Sequence, residues 1–411
     1  MLFDSDVALI GTGVAPLVAA SRLLAEGLSV IILNPEWDFF SEDSELPLDP
    51  LWPSDAAPLT LERLKNCSAE RALEVLRPDF PGAIEAWPAK EGFRDISAPH
   101  VRSRSRLWLQ SLDHVSRTNY LKNWEAVEDI YVQTTEAGIK AQILNGLSAV
   151  SKFPGISSRT VKAAEEIEGD LKAVLVPKTC DVDVSRYRNG MLEFIQERIG
   201  SERMICGASQ LDLTSEGVRF HAGGSLKTAR LKFGALVYWT PRLTPWVLSQ
   251  SKRMDAELIH PEGVRLWEEW SLVSSEPLDP SIVGAYEDMA VWAEVEGTPS
   301  HLETPIKRLN VLRAGALIKG SQTATEAGNT WASSQSFGAL FRLCHEFLKW
   351  DGFSVRSMRP RAVFEWRSMH GVQVIRAGDM RARIVSRCDG PLVDAVSAAR
   401  ASCEQLLSEA T

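Results

Sequence analysis

The sequence of 411 residues predicts an α/β fold with a parallel sheet and a β-meander. Three observations lead to this prediction. A strand, a glycine-containing turn, a helix and a second strand follow one another over residues 6–34. Short β-like runs separated by turns fill residues 204–231, and an apolar strand then leads into Thr240-Pro241. A strand, a loop and a helix are predicted over residues 371–411.

The first unit begins with an apolar run that ends at Ile10 and passes through Gly11–Gly13 into a helical pattern over residues 14–26. In units of this kind that bind dinucleotides, the first glycine permits a tight turn and the second lets the backbone approach a pyrophosphate. The helix N-terminus presents N–H groups and a partial positive charge to that pyrophosphate. The candidate cofactor-binding residues here are Gly11, Gly13, Val14 and Ala15.

Two residues depart from the usual motif. Pro16 occupies the position of the third glycine, and Asn34 occupies that of the acidic residue after the second strand. Proline is tolerated in a first helical turn, where its missing N–H would have no helical partner anyway. The neutral amide of Asn34 can still hydrogen-bond a ribose hydroxyl, and Glu36 is a second candidate for that role. An ordinary βαβ unit without a ligand remains the alternative.

Composition limits the class of function. The net charge of −9 argues against a nucleic-acid partner. No window approaches the ~18 consecutive apolar residues of a transmembrane helix, and the N-terminus lacks the basic region of a signal peptide. The six cysteines are scattered without a CxxC pair, which predicts reduced thiols and a cytoplasmic location. The seven histidines are equally scattered, so no metal site is predicted.

Between these units the pattern is less regular. Residues 35–60 are acidic and proline-rich and are predicted to form a long loop. Residues 61–180 are predicted to be mainly helical, for example over Leu61–Leu76 and Thr135–Ser151. Another helix is predicted over Asn189–Ile199, and residues 251–370 mix strand and helix signals.

The order of these pieces resembles that of a known family. The matching stretches are residues 6–36, residues 186–245 with the strand ALVYWTP, and AGD at 377–379 followed by DGPLVDAVSAA at 389–399. In this order they resemble FAD-dependent oxidoreductases of the class that includes flavin amine oxidases and protoporphyrinogen oxidase. The resemblance implies a Rossmann-like FAD-binding domain formed by residues 1–60, 181–250 and 371–411. It also implies an interleaved α+β substrate domain formed by residues 61–180 and 251–370.

The resemblance adds further candidate residues for binding FAD. The backbone at Gln210 would lie near the adenine, and Asp379 would accept hydrogen bonds from ribityl hydroxyls. Gly390 and Leu392 would lie where the last helix begins and points at the flavin. A plain turn or strand role is the alternative for Gln210 and Asp379. Arg381, Arg383 and Arg387 either form a solvated face or offset the charge of FAD phosphates or of an anionic substrate.

The function that the resemblance implies is hydride or electron transfer from an apolar or amine-containing small molecule to the flavin. No catalytic base is identified, and His370 is the histidine to test first. Tryptophans in the substrate segments line an apolar pocket or simply pack in the core: Trp267, Trp270, Trp292, Trp331, Trp350 and Trp366.

Other functions stay open at this point. Rab GDP-dissociation inhibitors share the architecture and carry a degenerate glycine motif, so a non-catalytic binding protein or complex subunit is one alternative. An NAD-dependent dehydrogenase is another, but it would not account for the AGD strand and the closing helix. A protein partner or a homo-oligomer is compatible with either.

Overall fold

The computed structural model describes residues 2–37, 101–110, 142–145, 172–182, 184–273, 282–286, 289–295, 306–317, 352–365, 372–386, 388 and 392–410. The strands in these ranges form two eight-stranded sheets. In chain order the strands are β1 (Leu2–Ile10), β2 (Val30–Leu33), β3 (Val101–Gln110), β4 (Gln142–Asn145), β5 (Lys172–Val182), β6 (Met204–Ile205), β7 (Ser209–Thr214), β8 (Gly217–Ala222), β9 (Ser225–Tyr238), β10 (Gly263–Val273), β11 (Ile282–Tyr286), β12 (Met289–Val295), β13 (Ile306–Leu317), β14 (Ser354–Glu365), β15 (Val372–Ala377) and β16 (Met380–Val385). The helices are α1 (Val14–Ala25), α2 (Val184–Ile199), α3 (Thr244–Arg253) and α4 (Leu392–Ala410).

The first sheet has the strand order β15-β16-β9-β1-β2-β6, and β7 and β8 extend β9 as an antiparallel meander. Five of its strands run parallel to one another: β16, β9, β1, β2 and β6. Because parallel strands end on the same side of a sheet, the last residues of these five strands lie along one edge. We call this edge the carboxyl edge.

Burial on both faces explains the unbroken apolar runs in the parallel strands. Val7–Ile10 and Ile31–Leu33 are completely buried, as expected for strands covered on both sides. Helices α1, α2 and α4 pack on one face, where Leu17, Ile195 and Val396 belong to a single hydrophobic cluster. The meander and α3 pack on the other face around Phe220 and Val247. Burial of each of these large apolar side chains contributes about 1.5–3 kcal/mol, which favours the arrangement of helices, sheet and meander in layers.

The second sheet has the order β14-β10-β13-β12-β11-β3-β5-β4 and is antiparallel except where β11 pairs with β3. It contacts the first sheet through Trp239, which directly follows β9. The Trp239 ring meets Phe364 of β14 edge-on at 5.9 Å and His260 at 6.0 Å. Its indole N–H donates to Thr244 Oγ1 at 3.0 Å, so the ring is held by both apolar and polar contacts.

The structure confirms the first βαβ unit and the meander. Helix α1 ends one residue before the predicted end, and the two predicted runs 226–231 and 235–239 are joined in the single strand β9, which ends at Tyr238. Helix α2 begins five residues before the predicted Asn189. The predicted loop over 35–60 lies outside the described residues beyond position 37.

The prediction of a mainly helical segment over residues 61–180 is wrong where the structure describes it. Residues 101–110, 142–145 and 172–182 are strands, and β4 falls inside the predicted helix Thr135–Ser151. In β3 the basic residues Arg102, Arg104 and Arg106 recur every second position, which is the period of a strand. That alternation was the signal that the helical interpretation missed.

The C-terminal helix is tied to the first sheet by a buried arginine. Arg383 of β16 donates to Glu409 Oε2 at 2.6 Å and to the carbonyl oxygen of Phe233 at 3.1 Å. Arg381 donates to the same carboxylate at 2.9 Å. Arg383 is buried, so it is not part of a solvated face, and these two arginines hold α4 instead. Arg387 lies outside the described residues.

We expect Glu409→Gln to lower the free energy of unfolding at neutral pH by up to about 1 kcal/mol, because Arg383 loses a charged acceptor while Glu409 itself is exposed to solvent. The hydrogen bond from Arg383 lowers the pKa of Glu409 in the folded protein. Its contribution is therefore complete above the pKa of glutamate in the unfolded chain and is lost as the pH falls through the lowered folded pKa. Urea unfolding should show a difference between variant and parent that shrinks in acid.

The matched control is Glu404→Gln, which changes an exposed glutamate on the same helix. This control should stay within about 0.5 kcal/mol of the parent. A Glu409→Gln effect that is independent of pH would contradict the assignment.

Candidate functional site

The glycine turn after β1 lies at the centre of the carboxyl edge. Gly11 has φ +154°, and its N–H donates to the carbonyl oxygen of Leu33 at 3.2 Å. A Cβ atom added to Gly11 would lie 2.9 Å from Cβ of Tyr238, closer than such atoms approach. Burial raises the pKa of the Tyr238 hydroxyl well above its usual range, so this neighbour stays neutral. The turn therefore fits tightly between the ends of β2 and β9, as predicted for the first glycine.

Helix α1 begins directly after this turn, with a glycine as its N-cap. This N-cap is Gly13, at φ 82° and ψ −155°, a residue that has no side chain with which to cap the helix. Its first turn contains no acidic residue. The first N–H groups of a helix need acceptors, and together with the helix dipole they favour an anion. Val14 and Ala15 open the helix here, so the structure brings Gly11, Gly13, Val14 and Ala15 together.

Pro16 is the third residue of α1 and is buried in its first turn. The position agrees with the expectation that proline is tolerated there. It also has a consequence for an anion at this helix end. Because proline has no N–H, an anion can be held only by the other backbone donors of the turn.

Asn34, which follows β2, uses its side chain to shape the adjoining loop. It is completely buried. Its Oδ1 accepts the N–H of Glu36 at 3.0 Å, and its Nδ2 lies 3.8 Å from Cys206 Sγ. Its backbone N–H donates to Ile205 at 2.8 Å, and its carbonyl oxygen accepts from Ala208 at 2.9 Å. Asn34 therefore fixes the loop after β2 against the segment that follows β6.

Glu36 is the more accessible of the two residues predicted to contact a ribose. Glu36 is half-buried, whereas Asn34 is completely buried. Its carbonyl oxygen accepts the N–H of Gly207 at 2.7 Å, which continues the contact between the two loops. Of this pair, Glu36 is therefore the residue that is more open to solvent.

Gln210 lies two residues beyond the contact between Ala208 and Asn34. It is exposed and has φ 47°, which is uncommon for a residue other than glycine. A β-bulge between Ser209 and Asp212 takes Gln210 out of the register between β7 and β8. The structure thus brings the backbone of Gln210 into the neighbourhood of Asn34 and Glu36.

Asp379 is not brought to this edge, which corrects the sequence interpretation. It is exposed in the two-residue turn of the hairpin that joins β15 to β16. Since β16 begins at Met380 and runs parallel to β9, its end at Val385 lies on the carboxyl edge and its start on the opposite edge. Five residues of strand separate Met380 from Val385, about 16 Å. The strand that leads to the last helix is β16 rather than the AGD strand.

The segment between β16 and α4 returns to the carboxyl edge. The N–H of Trp239 donates to Val385 at 2.9 Å, and Cys388 Sγ lies 3.3 Å from the carbonyl oxygens of both residues. Ser386 Oγ is buried and has no hydrogen-bond partner in the described part of the chain. Sequence reasoning missed Ser386, which no local pattern distinguishes. Leu392 opens α4, while Gly390 and Asp389 lie outside the described residues.

Among the tryptophans of the substrate segments, Trp270 is buried on β10. Its indole N–H donates to Oε2 of the buried Glu268 at 3.0 Å, a pairing that the sequence did not reveal. Trp267 and Trp292 lie on β10 and β12. The remaining candidates of this group lie outside the described residues, namely His370, Trp331, Trp350 and Trp366.

Within the described ranges, no three residues of the types His, Cys, Asp and Glu are grouped so that they could hold a metal ion. None of the helices that the structure describes is long and apolar enough to span a membrane.

We expect Asn34→Ala to lower the free energy of unfolding by about 1–3 kcal/mol, because the partly buried N–H of Glu36 loses its acceptor. The effect should be measured by urea unfolding after dialysis against ligand-free buffer. Glu36→Gln is the matched control on the same loop and should cost less. An Asn34→Ala variant as stable as the parent would show that the side chain does not shape the loop.

Comparison with protein-family models gives no match, and comparison with curated proteins gives none either. Solved structures do share the fold. A glycine oxidase from Geobacillus kaustophilus matches with a TM-score of 0.55 at 11% identity, over 99% of this chain and 94% of its own. NikD, an unusual amino acid oxidase essential for nikkomycin biosynthesis, matches with a TM-score of 0.62 at 12% identity, over 100% and 95%.

An L-proline dehydrogenase from P. horikoshii also matches, with a TM-score of 0.51 at 10% identity, over 100% of this chain and 94% of its own. The arrangement in two sheets and the parallel strands of the first sheet agree with this likeness. The chain therefore has an α/β, Rossmann-type fold, as its sequence predicts, and shares this fold with these two oxidases and this dehydrogenase.

Proposed function

We propose that this protein is an FAD-dependent oxidoreductase that takes a hydride or electrons from an amine-containing small molecule. One observation carries the proposal. At the carboxyl edge, a helix whose N-cap is glycine follows a turn that requires glycine at position 11, and Glu36 lies in the loop after the neighbouring strand β2. This combination offers backbone donors to a pyrophosphate and a carboxylate to a ribose.

The residues present fit FAD in most respects. Gly11, Gly13, Val14 and Ala15 would hold the pyrophosphate, with Glu36 at the ribose and the backbone of Gln210 near the adenine. Asn34 would act indirectly, by positioning Glu36. Leu392 and Gly390 would adjoin the flavin, and the buried hydroxyl of Ser386 offers a hydrogen bond on that side. Asp379 has no place in this arrangement. When bound, FAD supplies the redox chemistry, and the protein supplies position and electrostatics.

The proposed domain division follows the two sheets. The first sheet is built from strands within residues 1–60, 181–250 and 371–411, which we assign to the FAD-binding domain. The second sheet uses strands within residues 61–180 and 251–370, apart from the last two residues of β5. We assign the second sheet to the substrate domain. The contact of Trp239 with Phe364 brings these two parts together beside the proposed site.

The substrate class rests on the structural likeness. The printed names of the matching structures include a glycine oxidase, an amino acid oxidase and an L-proline dehydrogenase. An amine-containing substrate is common to all three names. The proposal also keeps a cytoplasmic location, which rests on the scattered cysteines.

The purified protein should be yellow and should release FAD on denaturation at close to one equivalent per chain. Gly13→Val should lower the FAD content at least about tenfold, because a branched side chain at φ 82° strains the turn and blocks the approach of the pyrophosphate. The measurement is the visible spectrum together with chromatography of the released cofactor.

Gly223→Val is the matched control. Gly223 also has a positive φ, but an added Cβ would meet nothing within 4 Å. The control should retain its FAD. A colourless parent protein that takes up no added FAD would contradict the proposal and would favour the alternative of a non-catalytic complex subunit.

Amines should reduce the bound flavin. Under anaerobic conditions, at least one member of a panel of primary and secondary amines and amino acids should bleach the flavin absorbance. The expected loss is complete at saturating substrate, and the bleaching rate gives the specificity. If no amine reduces a flavin that dithionite does reduce, the substrate class is wrong although the cofactor is right.

A further inference from the structure

Trp37 is a large aromatic side chain that lies exposed at the carboxyl edge. It follows Glu36 in the loop after β2, and 82% of its surface is accessible to solvent. Burial of an aromatic ring of this size is strongly favourable, so an exposed ring beside a candidate ligand site suggests a binding surface.

The ring of Trp37 lies flat against the backbone of Gly207. A Cβ atom added to Gly207 would lie 2.8 Å from Cε3, 2.9 Å from Cζ3 and 3.0 Å from Cδ2 of the indole. Three nearly equal distances to adjacent ring carbons place that point above the face of the ring rather than beside its edge. Any side chain at position 207 would push the ring away. One face of the indole thus covers Gly207, and the opposite face is turned away from this contact.

The loop that carries Trp37 is held in place. The N–H of Gly207 donates to the carbonyl oxygen of Glu36 at 2.7 Å, and Gly207 has φ +67°. The buried side chain of Asn34 accepts the N–H of Glu36 from the other side of the turn. The indole is therefore positioned before any ligand arrives, which reduces the entropy that binding would cost.

The position of Trp37 within the sheet indicates which part of a dinucleotide it would meet. The glycine turn follows β1, with β2 and β6 on one side of it and β9 and β16 on the other. Four strand spacings, about 19 Å, separate β6 from β16. Helix α4, on the proposed flavin side, follows β16. Trp37 lies on the β2 and β6 side, beyond Glu36, where the adenosine half would lie.

We infer that Trp37 is an adenine-binding residue, on whose open face the adenine ring of FAD stacks. The inference rests on the proposed function. A planar, π-rich purine matches the indole face, and stacking of a base on an aromatic side chain is strong and independent of hydrogen-bond pattern. The exposed backbone at Gln210 supplies hydrogen bonds to the edge of the same ring. Trp37 thus contributes affinity on the side where Asn34 replaces the usual acidic residue.

The test is titration of the full-length protein, after removal of bound flavin, with FAD and with ADP as a competitor. Trp37→Ala should weaken binding of both ligands by about 10- to 100-fold. Trp37→Phe keeps a stacking ring and should stay within about threefold of the parent. Leu226→Ala removes another exposed apolar side chain, at the start of β9, and should change neither affinity. Thermal unfolding of the flavin-free variants should be unchanged.

Each outcome separates the inference from the proposed function. A parent protein that binds neither FAD nor ADP would overturn the proposed function and the inference with it. A parent that binds FAD, with Trp37→Ala binding it equally well, would overturn the inference alone. Weakened FAD binding that Trp37→Phe does not restore, accompanied by a lower melting temperature, would assign Trp37 a purely structural role and would also overturn it.

Discussion

The parallel alignment of five strands in the first sheet is the constraint on which the rest of the structure depends. Because β1, β2, β6, β9 and β16 end on the same side, the segments that follow them converge on one edge. The glycine turn, the loop with Asn34 and Glu36, and the segment after β16 are neighbours for this reason alone. Gly11 makes the convergence possible, since a side chain there would collide with Tyr238.

In the proposed arrangement, the buried Asn34 shapes the loop after β2 and a second residue, Glu36, contacts the ribose. One acidic residue usually combines these two roles. A carboxylate enclosed as completely as Asn34 would be costly to bury, whereas an amide can satisfy its hydrogen bonds within the protein. Asn34 accordingly binds the loop and the segment after β6. In the proposed arrangement Glu36 would contact the ribose, and Trp37 follows Glu36 in the same loop. The departure from the usual motif is thus consistent with a working site.

The C-terminal helix and the second sheet are attached to this edge by different interactions. The buried Arg383 anchors the end of α4 through Glu409, on the side of the sheet remote from the glycine turn. Trp239 joins the end of β9 to Phe364 of β14 through aromatic packing, supported by its hydrogen bond to Thr244. One attachment is electrostatic and the other apolar, so the two respond differently to pH and salt. The start of α4, at the other end of this helix from Glu409, lies near the carboxyl edge.

Local patterns in the sequence determined the βαβ unit, helix α1 and the meander, because apolar periodicity and glycine turns act over a few residues. The same patterns also identified Gly11 and Gly13 as the glycines of the turn between β1 and α1. The prediction from sequence was wrong at residues 101–110, 142–145 and 172–182, which are strands and not helices; in the first of these, the alternation of Arg102, Arg104 and Arg106 was overlooked. Only the tertiary structure decided that Asp379 lies on the far edge, that Asn34 is enclosed and that Trp37 covers Gly207. These facts depend on which strands pair and in which direction, and pairing joins residues far apart in the chain, beyond the reach of any local pattern.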